Sequence, residues 1–321
     1  MIITDSVYGE TQINEPVLIE LINSKPLLRM KGVYNAGILR KVIFRKQLTR
    51  FEHCVGVMIL LRKKGASLEE QIAGLLHDIP HTAFSHAIDY VYKNKEHNFH
   101  EKFHEKIINE SEIPLILKKY NFDTKRMMDE KNFSLLERSS PDLCADRIDY
   151  TLKEFKEINK DAEKINEYIN SIVVFENEFY FNNAQTALEF SKDFLEMIQS
   201  WASPLEIAIV ETLALALKKS LNANIITQED LFTTDQEVLD KIYASKDKEI
   251  IQLLEMINPS IKVVEDEKNF DYYSKEKLRF IDPKVLPTKK RVSEIYPEYK
   301  ELIEKHKEIL SRGVHARIIR K

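Results

Sequence analysis

Glycine and proline are scarce in this chain, which has 7 glycines and 10 prolines among 321 residues. Their combined share is less than half of the usual value of about 12%. Tight turns often need glycine because the backbone takes a positive φ there, so the scarcity argues against a fold with many turns. We therefore predict an all-α architecture.

The chain also has few cysteines, no long apolar run and little net charge. The two cysteines, Cys54 and Cys144, are too few for a disulfide framework, which favours a reducing compartment. No apolar run approaches the roughly 18 residues of a membrane-spanning helix, and the N-terminus lacks the basic-then-apolar pattern of a signal peptide. A formal net charge of −4 gives no electrostatic reason for nucleic-acid binding. We therefore expect a cytoplasmic protein whose partners include neither a membrane nor nucleic acid.

Hydrophobic spacing predicts helices through most of the chain, with one short β-hairpin formed by residues 172–175 and 179–181. An apolar helical stretch is predicted over residues 187–222, and the rest of the chain has the Lys- and Glu-rich composition of solvated helices. We predict a core with the N-terminal segment over residues 1–165 and a hairpin with a C-terminal helical region over 166–321. A single continuous domain is the alternative.

Histidine is unevenly placed along the chain. Seven of the nine histidines lie between positions 53 and 104, where even scattering would place about one or two. The clustering directs attention to chemistry that needs imidazole, such as metal binding or proton transfer. The seven are His53, His77, His81, His86, His97, His100 and His104. Of these, we expect His97 and His104 to be surface residues.

A metal site is predicted from His53, the adjacent pair His77 and Asp78, and Asp146, which lie on three different segments. An adjacent His and Asp can reach the same ion where a helix ends, because their side chains then project differently. The other two side chains can come from helices packed alongside. Two imidazoles and two carboxylates suit one divalent ion such as Mn, Fe, Zn, Ni or Mg. Such an ion activates water and neutralises charge that develops on a phosphoryl group.

Four short segments occur in an order and spacing that resemble a known family. They are RFEH at residues 50–53, LLHDIPHTAFSH at 75–86, NFHE at 98–101 and DRIDY at 146–150. With these segments, residues 50–155 resemble the HD-domain metal-dependent phosphohydrolases, and within that superfamily most closely the dNTP triphosphohydrolase-like HD proteins. The resemblance implies an HD-domain helical bundle, accompanied here by the small β-hairpin and a C-terminal helical extension. It also implies a homodimer.

The resemblance assigns roles to individual residues by position. The positions that match the ligands of one divalent metal ion are His53, His77, Asp78 and Asp146. The positions that match catalytic pocket groups, implicated in proton transfer and phosphate contact, are His81, His86, Asp89 and His100. The positions that match substrate contacts are Arg50, Arg147, Tyr150 and Glu154. For the two arginines a structural role is the alternative: Arg50 pairing with Glu52 or Asp89, and Arg147 pairing at the surface.

One region departs from the family pattern. Downstream of the hairpin the triphosphohydrolases present cationic side chains that hold the triphosphate, whereas the corresponding segment here reads LEMIQSWASPLEIAIVE, over residues 195–211, without those cations. We therefore expect a metal-dependent phosphohydrolase that hydrolyses a nucleotide or another small phosphate ester by means of metal-activated water. The alternatives are a dNTP triphosphohydrolase that releases triphosphate, and a catalytically idle HD scaffold that binds a nucleotide.

Overall fold

The computed structural model describes residues 1–42, 48–158 and 160–320. In these residues sixteen α-helices and nine short β-strands follow one another along the chain. The helices are α1 Pro16–Ile22, α2 Lys25–Arg29, α3 Arg50–Lys63, α4 Leu68–Leu76, α5 Ala87–Val91, α6 His104–Asn109, α7 Ile113–Lys119, α8 Thr124–Met128, α9 Ala145–Glu157, α10 Ala162–Ser171, α11 Ala184–Trp201, α12 Pro204–Asn222, α13 Asp235–Ala244, α14 Lys248–Met256, α15 Val292–Ile295 and α16 Pro297–Arg312. The strands are β1 Ile2–Asp5, β2 Gly9–Gln12, β3 Ile172–Phe175, β4 Glu178–Phe181, β5 Val263–Glu265, β6 Tyr272–Ser274, β7 Lys284–Val285, β8 Lys290–Arg291 and β9 Val314–Ile318.

The expectation of an all-α chain is wrong. The protein is 56% helical and 11% strand, and the described strands form three small sheets. β1 and β2 form an N-terminal hairpin, and β3, β4, β7 and β8 form a four-stranded sheet. β5, β9 and β6 form a third sheet in the C-terminal region, which the sequence predicts to be helical apart from an extended piece near residues 277–281. Glycine scarcity is a poor guide here because other residues make tight turns. Glu176 and Asn177, between β3 and β4, have φ values of 50° and 58°.

The predicted hairpin is present as β3 and β4. The two strands pair antiparallel, with Ile172 opposite Phe181 and Phe175 opposite Glu178. β7 adds to β4 in a parallel arrangement, and β8 adds to β7. The hairpin is therefore part of a sheet that includes strands from more than 100 residues further along the chain, a pairing that no local pattern predicts.

Helices α3, α4 and α9 form the framework around the predicted metal ligands. α3 begins at a capping box, in which the Thr49 hydroxyl accepts from the Glu52 amide and the Glu52 carboxylate accepts from the Thr49 amide. α4 begins after Ser67, whose hydroxyl accepts from the Glu70 amide. Such caps satisfy backbone donors that the first turn of a helix leaves unpaired. Local sequence therefore sets where both helices start.

α3 and α9 approach each other closely at Gly56. A Cβ atom on Gly56 would lie 2.1 Å from Lys153 Nζ and 2.2 Å from Asp149 Oδ1, both on α9. These two charged side chains are fully buried, and they form an ion pair with Lys153 Nζ 3.4 Å from Asp149 Oδ2. Glycine at position 56 thus leaves the space in which a buried ion pair fits between the helices.

The main hydrophobic core extends across the boundary predicted between residues 165 and 166. It includes Val57 and Leu60 of α3 together with Phe190 of α11 and Ile303 of α16. A second cluster packs α5 against α12, α13 and α14. Both predicted parts therefore contribute to one core, and the division into residues 1–165 and 166–321 stays a prediction.

Helices α11 and α12 are the most extensive apolar helices of the C-terminal half. No single helix in the described ranges is long and apolar enough to cross a membrane, and α11 with α12 meet that test only as a pair bent by 49°. Both contribute buried side chains to the core clusters, among them Phe194 and Leu213.

Because α3 and α9 approach each other closely at Gly56, adding one methyl group at this position should destabilise the fold. Gly56→Ala should lower the free energy of unfolding by about 2 kcal/mol, because the new Cβ displaces the buried pair of Lys153 and Asp149. Urea denaturation checks this. Gly74→Ala on α4 is the comparison, since its Cβ would meet apolar side-chain atoms, the nearest being Leu61 Cδ1 at 2.5 Å and Val57 Cγ1 at 3.1 Å, and would displace no charged group. Equal stabilities for the two variants would contradict the role of Gly56.

Candidate metal-centred active site

The four predicted metal ligands meet at one place in the structure. His53 lies on α3, His77 and Asp78 directly follow α4, and Asp146 lies in the first turn of α9. His53 Nε2 is 2.9 Å from Asp146 Oδ1 and 3.6 Å from Asp78 Oδ2. His77 Nε2 is 3.5 Å from Asp146 Oδ1 and 3.8 Å from Asp78 Oδ1. Two imidazoles and two carboxylates therefore converge from three helices.

The orientation of His77 fits a metal ligand. Its Nδ1 lies 2.8 Å from the Gly74 carbonyl oxygen, which can only accept, so Nδ1 donates and Nε2 is the nitrogen directed at the cluster. Within the described part of the chain, His77 Nε2 is buried and has no hydrogen-bond partner. A buried polar atom without a partner is costly. An ion held by His53, His77 and Asp146, whose ligand atoms lie within 4.8 Å of one another, removes that cost.

The electrostatics of the cluster favour added positive charge. Burial acts to lower the pKa of His77, but Asp78 and Asp146 raise it to about 10. Burial likewise acts to lower the pKa of His53, and its hydrogen bonds to Asp146 and Asp149 raise it above the usual value. Burial acts in the opposite direction on Asp146, yet both imidazoles hold its pKa well below the usual range. A divalent cation is therefore suited to this donor set.

Behind His53 lies a buried chain of charges that the sequence interpretation does not include. Asp149 Oδ2 is 2.7 Å from His53 Nδ1, and Lys153 Nζ lies 3.4 Å from Asp149 and 3.1 Å from Asp5 Oδ2. Lys153 also donates to the Glu52 carbonyl. A carboxylate behind a ligating histidine fixes its tautomer and ring orientation. The spacing of three and four residues between Asp146, Asp149 and Lys153 on one helix face is the signal that points to this arrangement.

The predicted catalytic residues lie beside the cluster as a group of neutral imidazoles. The rings of His81 and His100 stack with centroids 3.7 Å apart, and His81 Nε2 is 3.3 Å from Asp78 Oδ1. Burial, followed by the charge of Arg50, lowers the pKa of His81 to about 3. Burial lowers the pKa of His100 well below its usual value. Neutral imidazoles can accept protons, and Nδ1 of both rings is buried without a partner among the described residues.

His86 and Asp89 form a hydrogen-bonded pair at the edge of this group. His86 Nδ1 lies 3.0 Å from Asp89 Oδ2, and the Phe99 amide donates to the other Asp89 oxygen at 3.0 Å. His97, expected at the surface, is half-buried against His86, with ring centroids 5.8 Å apart. His104, also expected at the surface, is likewise half-buried, and burial lowers its pKa to about 4.

The loop that follows His77 and Asp78 is held by residues from distant parts of the chain. Arg29 donates to the Ile79 and His81 carbonyls at 2.6 and 2.9 Å and to the Thr233 carbonyl at 3.1 Å. Asp235 accepts from the Phe84 amide at 2.7 Å. Only the tertiary structure reveals these contacts, since the partners are 50 to 204 residues apart.

Arg50 lies in the cluster, but its partners differ from those weighed from the sequence. Its guanidinium donates to Asp78 Oδ2 at 2.6 Å and to the Ser85 hydroxyl at 3.0 Å. Arg50 is buried and holds Asp78 against the imidazoles. The side chain of a predicted metal ligand, and neither Glu52 nor Asp89, is therefore its closest charged partner.

The other predicted substrate contacts lie along α9 and are engaged with the protein. Arg147 donates to the Asp142 and Arg138 carbonyls at 2.6 and 3.2 Å, and so ties down the loop before α9. The Tyr150 ring packs against Trp201, with centroids 5.9 Å apart. Glu154 is half-buried one turn further on. Contact of these residues with a substrate stays a prediction.

The site lies in the part of the chain that matches a protein-family model. The HD domain family model matches residues 50–153. The chain is 38% identical over 325 residues to the uncharacterized protein YdhJ of Bacillus subtilis, with both proteins covered completely. It is 30% identical over 332 residues to the metal-dependent phosphohydrolase cns2 of Cordyceps militaris, covering 98% of this chain and 94% of cns2. A crystal structure of a hypothetical protein from Aquifex aeolicus shares the fold, with a TM-score of 0.64 and 22% identity over 95% of this chain and 93% of that chain.

The contact between His53 and Asp149 predicts that a residue outside the ligand set controls metal affinity. Asp149→Asn should weaken Mn²⁺ binding about tenfold to a hundredfold, because the group that orients His53 loses its charge. Isothermal titration calorimetry on the full chain checks this. Asp142→Asn is the control, since Asp142 lies just before α9 and pairs with Arg291, 2.7 Å away. Unchanged affinity in a folded Asp149→Asn protein would refute the role of Asp149.

Proposed function

Since the chain belongs to the HD-domain metal-dependent phosphohydrolases, we propose that it hydrolyses a nucleotide or another small phosphate ester at the cluster formed by His53, His77, Asp78 and Asp146. The observation that carries this proposal is the convergence of two imidazoles and two carboxylates around His77 Nε2. That nitrogen is buried and has no hydrogen-bond partner in the residues that the structure describes.

The four side chains are proposed to hold a divalent cation. When bound, the cation supplies Lewis-acid chemistry that activates water and offsets the charge of a phosphoryl group. His53 is oriented for this task by Asp149 and His77 by the Gly74 carbonyl. Asp78 is oriented by Arg50. Each of these three ligands therefore has a protein group that fixes its geometry before substrate arrives.

Proton transfer is proposed for the neighbouring imidazoles. His81, His86 and His100 are neutral near pH 7, because burial holds their pKa values below the usual range. A neutral imidazole next to the site of attack can take a proton from water or return one to a leaving group. In the pair of His86 and Asp89, Nδ1 is occupied by the carboxylate, so Nε2 is the atom that exchanges protons.

Phosphate binding next to two carboxylates requires local positive charge. Arg50 is the cation nearest to the ligand set, with its Nη1 2.6 Å from Asp78. We propose that it also contacts the substrate phosphate. Three points stay predictions: that the substrate is a nucleotide, that the product is triphosphate, and that the protein is a homodimer. Chromatography of the products distinguishes release of triphosphate from stepwise release of phosphate.

Removal of a ligand should abolish both metal binding and turnover. Asp78→Ala and His77→Ala should each lose the bound metal and lower kcat about a thousandfold, since a bound ion contributes several kcal/mol to transition-state stabilisation. Metal analysis of the purified protein, followed by phosphate release from a nucleotide panel with Mn²⁺, Fe²⁺, Ni²⁺, Co²⁺ or Mg²⁺, measures both effects.

His315→Ala is the control for loss of an imidazole, because His315 packs against Phe270 and Tyr273 beside the C-terminal sheet. It should retain metal and activity. Turnover by Asp78→Ala at the wild-type rate would disprove the proposed site. Tight nucleotide binding without turnover under any metal would favour the idle scaffold instead.

A further inference from the structure

A segment from the C-terminal half connects two sides of the site. We call residues 276–282 the bridging segment. At its first end the Tyr90 hydroxyl donates to Glu276 Oε1 at 2.8 Å, and Lys277 Nζ donates to the Glu96 carbonyl at 3.0 Å. Tyr90 lies on α5 beside the pair of His86 and Asp89, and Glu96 immediately precedes His97. This end is therefore attached to the wall that carries the pocket histidines.

The other end of the bridging segment is attached to the opposite wall. The Ser140 hydroxyl donates to the Phe280 carbonyl at 2.7 Å, and the Asp282 amide donates to the Pro141 carbonyl at 2.9 Å. Residues 140 and 141 lead into α9, which carries Asp146 and Tyr150. The residues between the two anchors consequently pass from one wall of the cleft to the other.

Arg279 lies between these anchors. His306 of α16 contacts the Arg279 carbonyl, with its Nε2 at 2.9 Å. Helix α16 therefore holds the backbone at this position. The side chain is half-buried, and its charge acts on groups on both sides of the site. Burial and then the charge of Arg279 lower the pKa of His97 to about 4, and on the other wall Arg279 opposes the effect of burial, which raises the pKa of Tyr150.

The guanidinium of Arg279 makes no hydrogen bond or ion pair with any residue that the structure describes. The acids around it have other partners. Glu276 accepts from Tyr90 and Ser274, and Asp89 is paired with His86 and bonded to the Phe99 amide. Arg279 is thus a cation without a hydrogen-bonded or ionic protein partner among the described residues, and its charge acts on His97 and Tyr150 at the site.

The two arginines singled out from the sequence are in a different situation. Arg50 is committed to Asp78 and Ser85, and Arg147 to the carbonyls of the loop before α9. A planar guanidinium with free donors is well suited to a phosphate group, which it can contact with two parallel hydrogen bonds. Among these three arginines, Arg279 is the one whose guanidinium makes no hydrogen bond or ion pair with a described residue.

We propose that Arg279 binds a phosphate group of the substrate at the mouth of the cleft and so supplies the cation that residues 195–211 lack. This inference rests on the proposed phosphohydrolase function and extends it, because it assigns substrate binding to the bridging segment. The substrate is then held between the metal cluster at the base of the cleft and a guanidinium at its entrance.

Binding of inorganic phosphate to the Mn²⁺-loaded full chain tests the proposal by isothermal titration calorimetry. Arg279→Gln should weaken phosphate binding about tenfold or more, and Arg279→Lys should recover part of the affinity because it restores the charge. Arg312→Gln is the matched control, since Arg312 is an exposed arginine that pairs with Glu308 on α16, and it should bind phosphate within about twofold of wild type. The melting temperature of Arg279→Gln should equal that of wild type because the side chain has no partner to lose.

Unchanged phosphate affinity in Arg279→Gln, or no detectable binding by the wild-type chain, would overturn the proposal. Hydrolysis of p-nitrophenyl phosphate gives the second readout, in which Arg279→Gln should raise KM more than it lowers kcat. If the wild-type chain hydrolyses p-nitrophenyl phosphate and Arg279→Gln changes neither the KM of that reaction nor the affinity for phosphate, the inference on Arg279 fails. The proposed function stands in that case. If no metal supports turnover but Arg279→Gln still weakens phosphate binding, the proposed function fails and the anion site stands.

Discussion

The close approach of two carboxylates, the buried Asp78 and the half-buried Asp146, governs the arrangement of the site. Asp78 and Asp146 both lie within 3.6 Å of His53 Nε2, and like charges this close are costly in a buried environment unless positive charge offsets them. Arg50 and the two imidazoles supply part of that charge within the protein. A bound cation would supply the rest, which is the physical reason why this arrangement of side chains suits a metal-dependent enzyme.

The need to balance negative charge also applies to residues behind the ligands. Asp149 adds a third carboxylate, which is buried behind His53. Lys153 offsets its charge and also pairs with Asp5 in the N-terminal hairpin. The space for this chain of charges exists because position 56 carries no side chain. On the opposite side the bridging segment ties the C-terminal half to both walls of the cleft. The surroundings of the site therefore draw on residues from the first strand to beyond residue 275.

The sequence predicts the placement of side chains best where the residues concerned are close together in the chain. The adjacent pair of His77 and Asp78 follows a capped helix, and the spacing from Asp146 to Tyr150 lies on one helix, so local pattern suffices to place them. The prediction of an all-α fold failed where local pattern was insufficient. The hairpin of β3 and β4 was predicted although Glu176 and Asn177, and not glycine, form its turn. By contrast, β7 pairs with β4, and β5 and β6 pair with β9, over sequence distances that periodicity does not record.

The donor types, their order and the helices that carry them follow from the amino-acid sequence, because helix caps and helical spacing are local properties. Which charges face each other depends on the packing of the folded chain. Arg147 binds loop carbonyls, Arg50 binds Asp78, and the Arg279 guanidinium has no hydrogen bond or ion pair with a described residue. An arginine has the same charge wherever it stands in the sequence, and its role depends on which acceptors the fold brings within hydrogen-bond distance. That distance is set by packing between elements far apart in the chain.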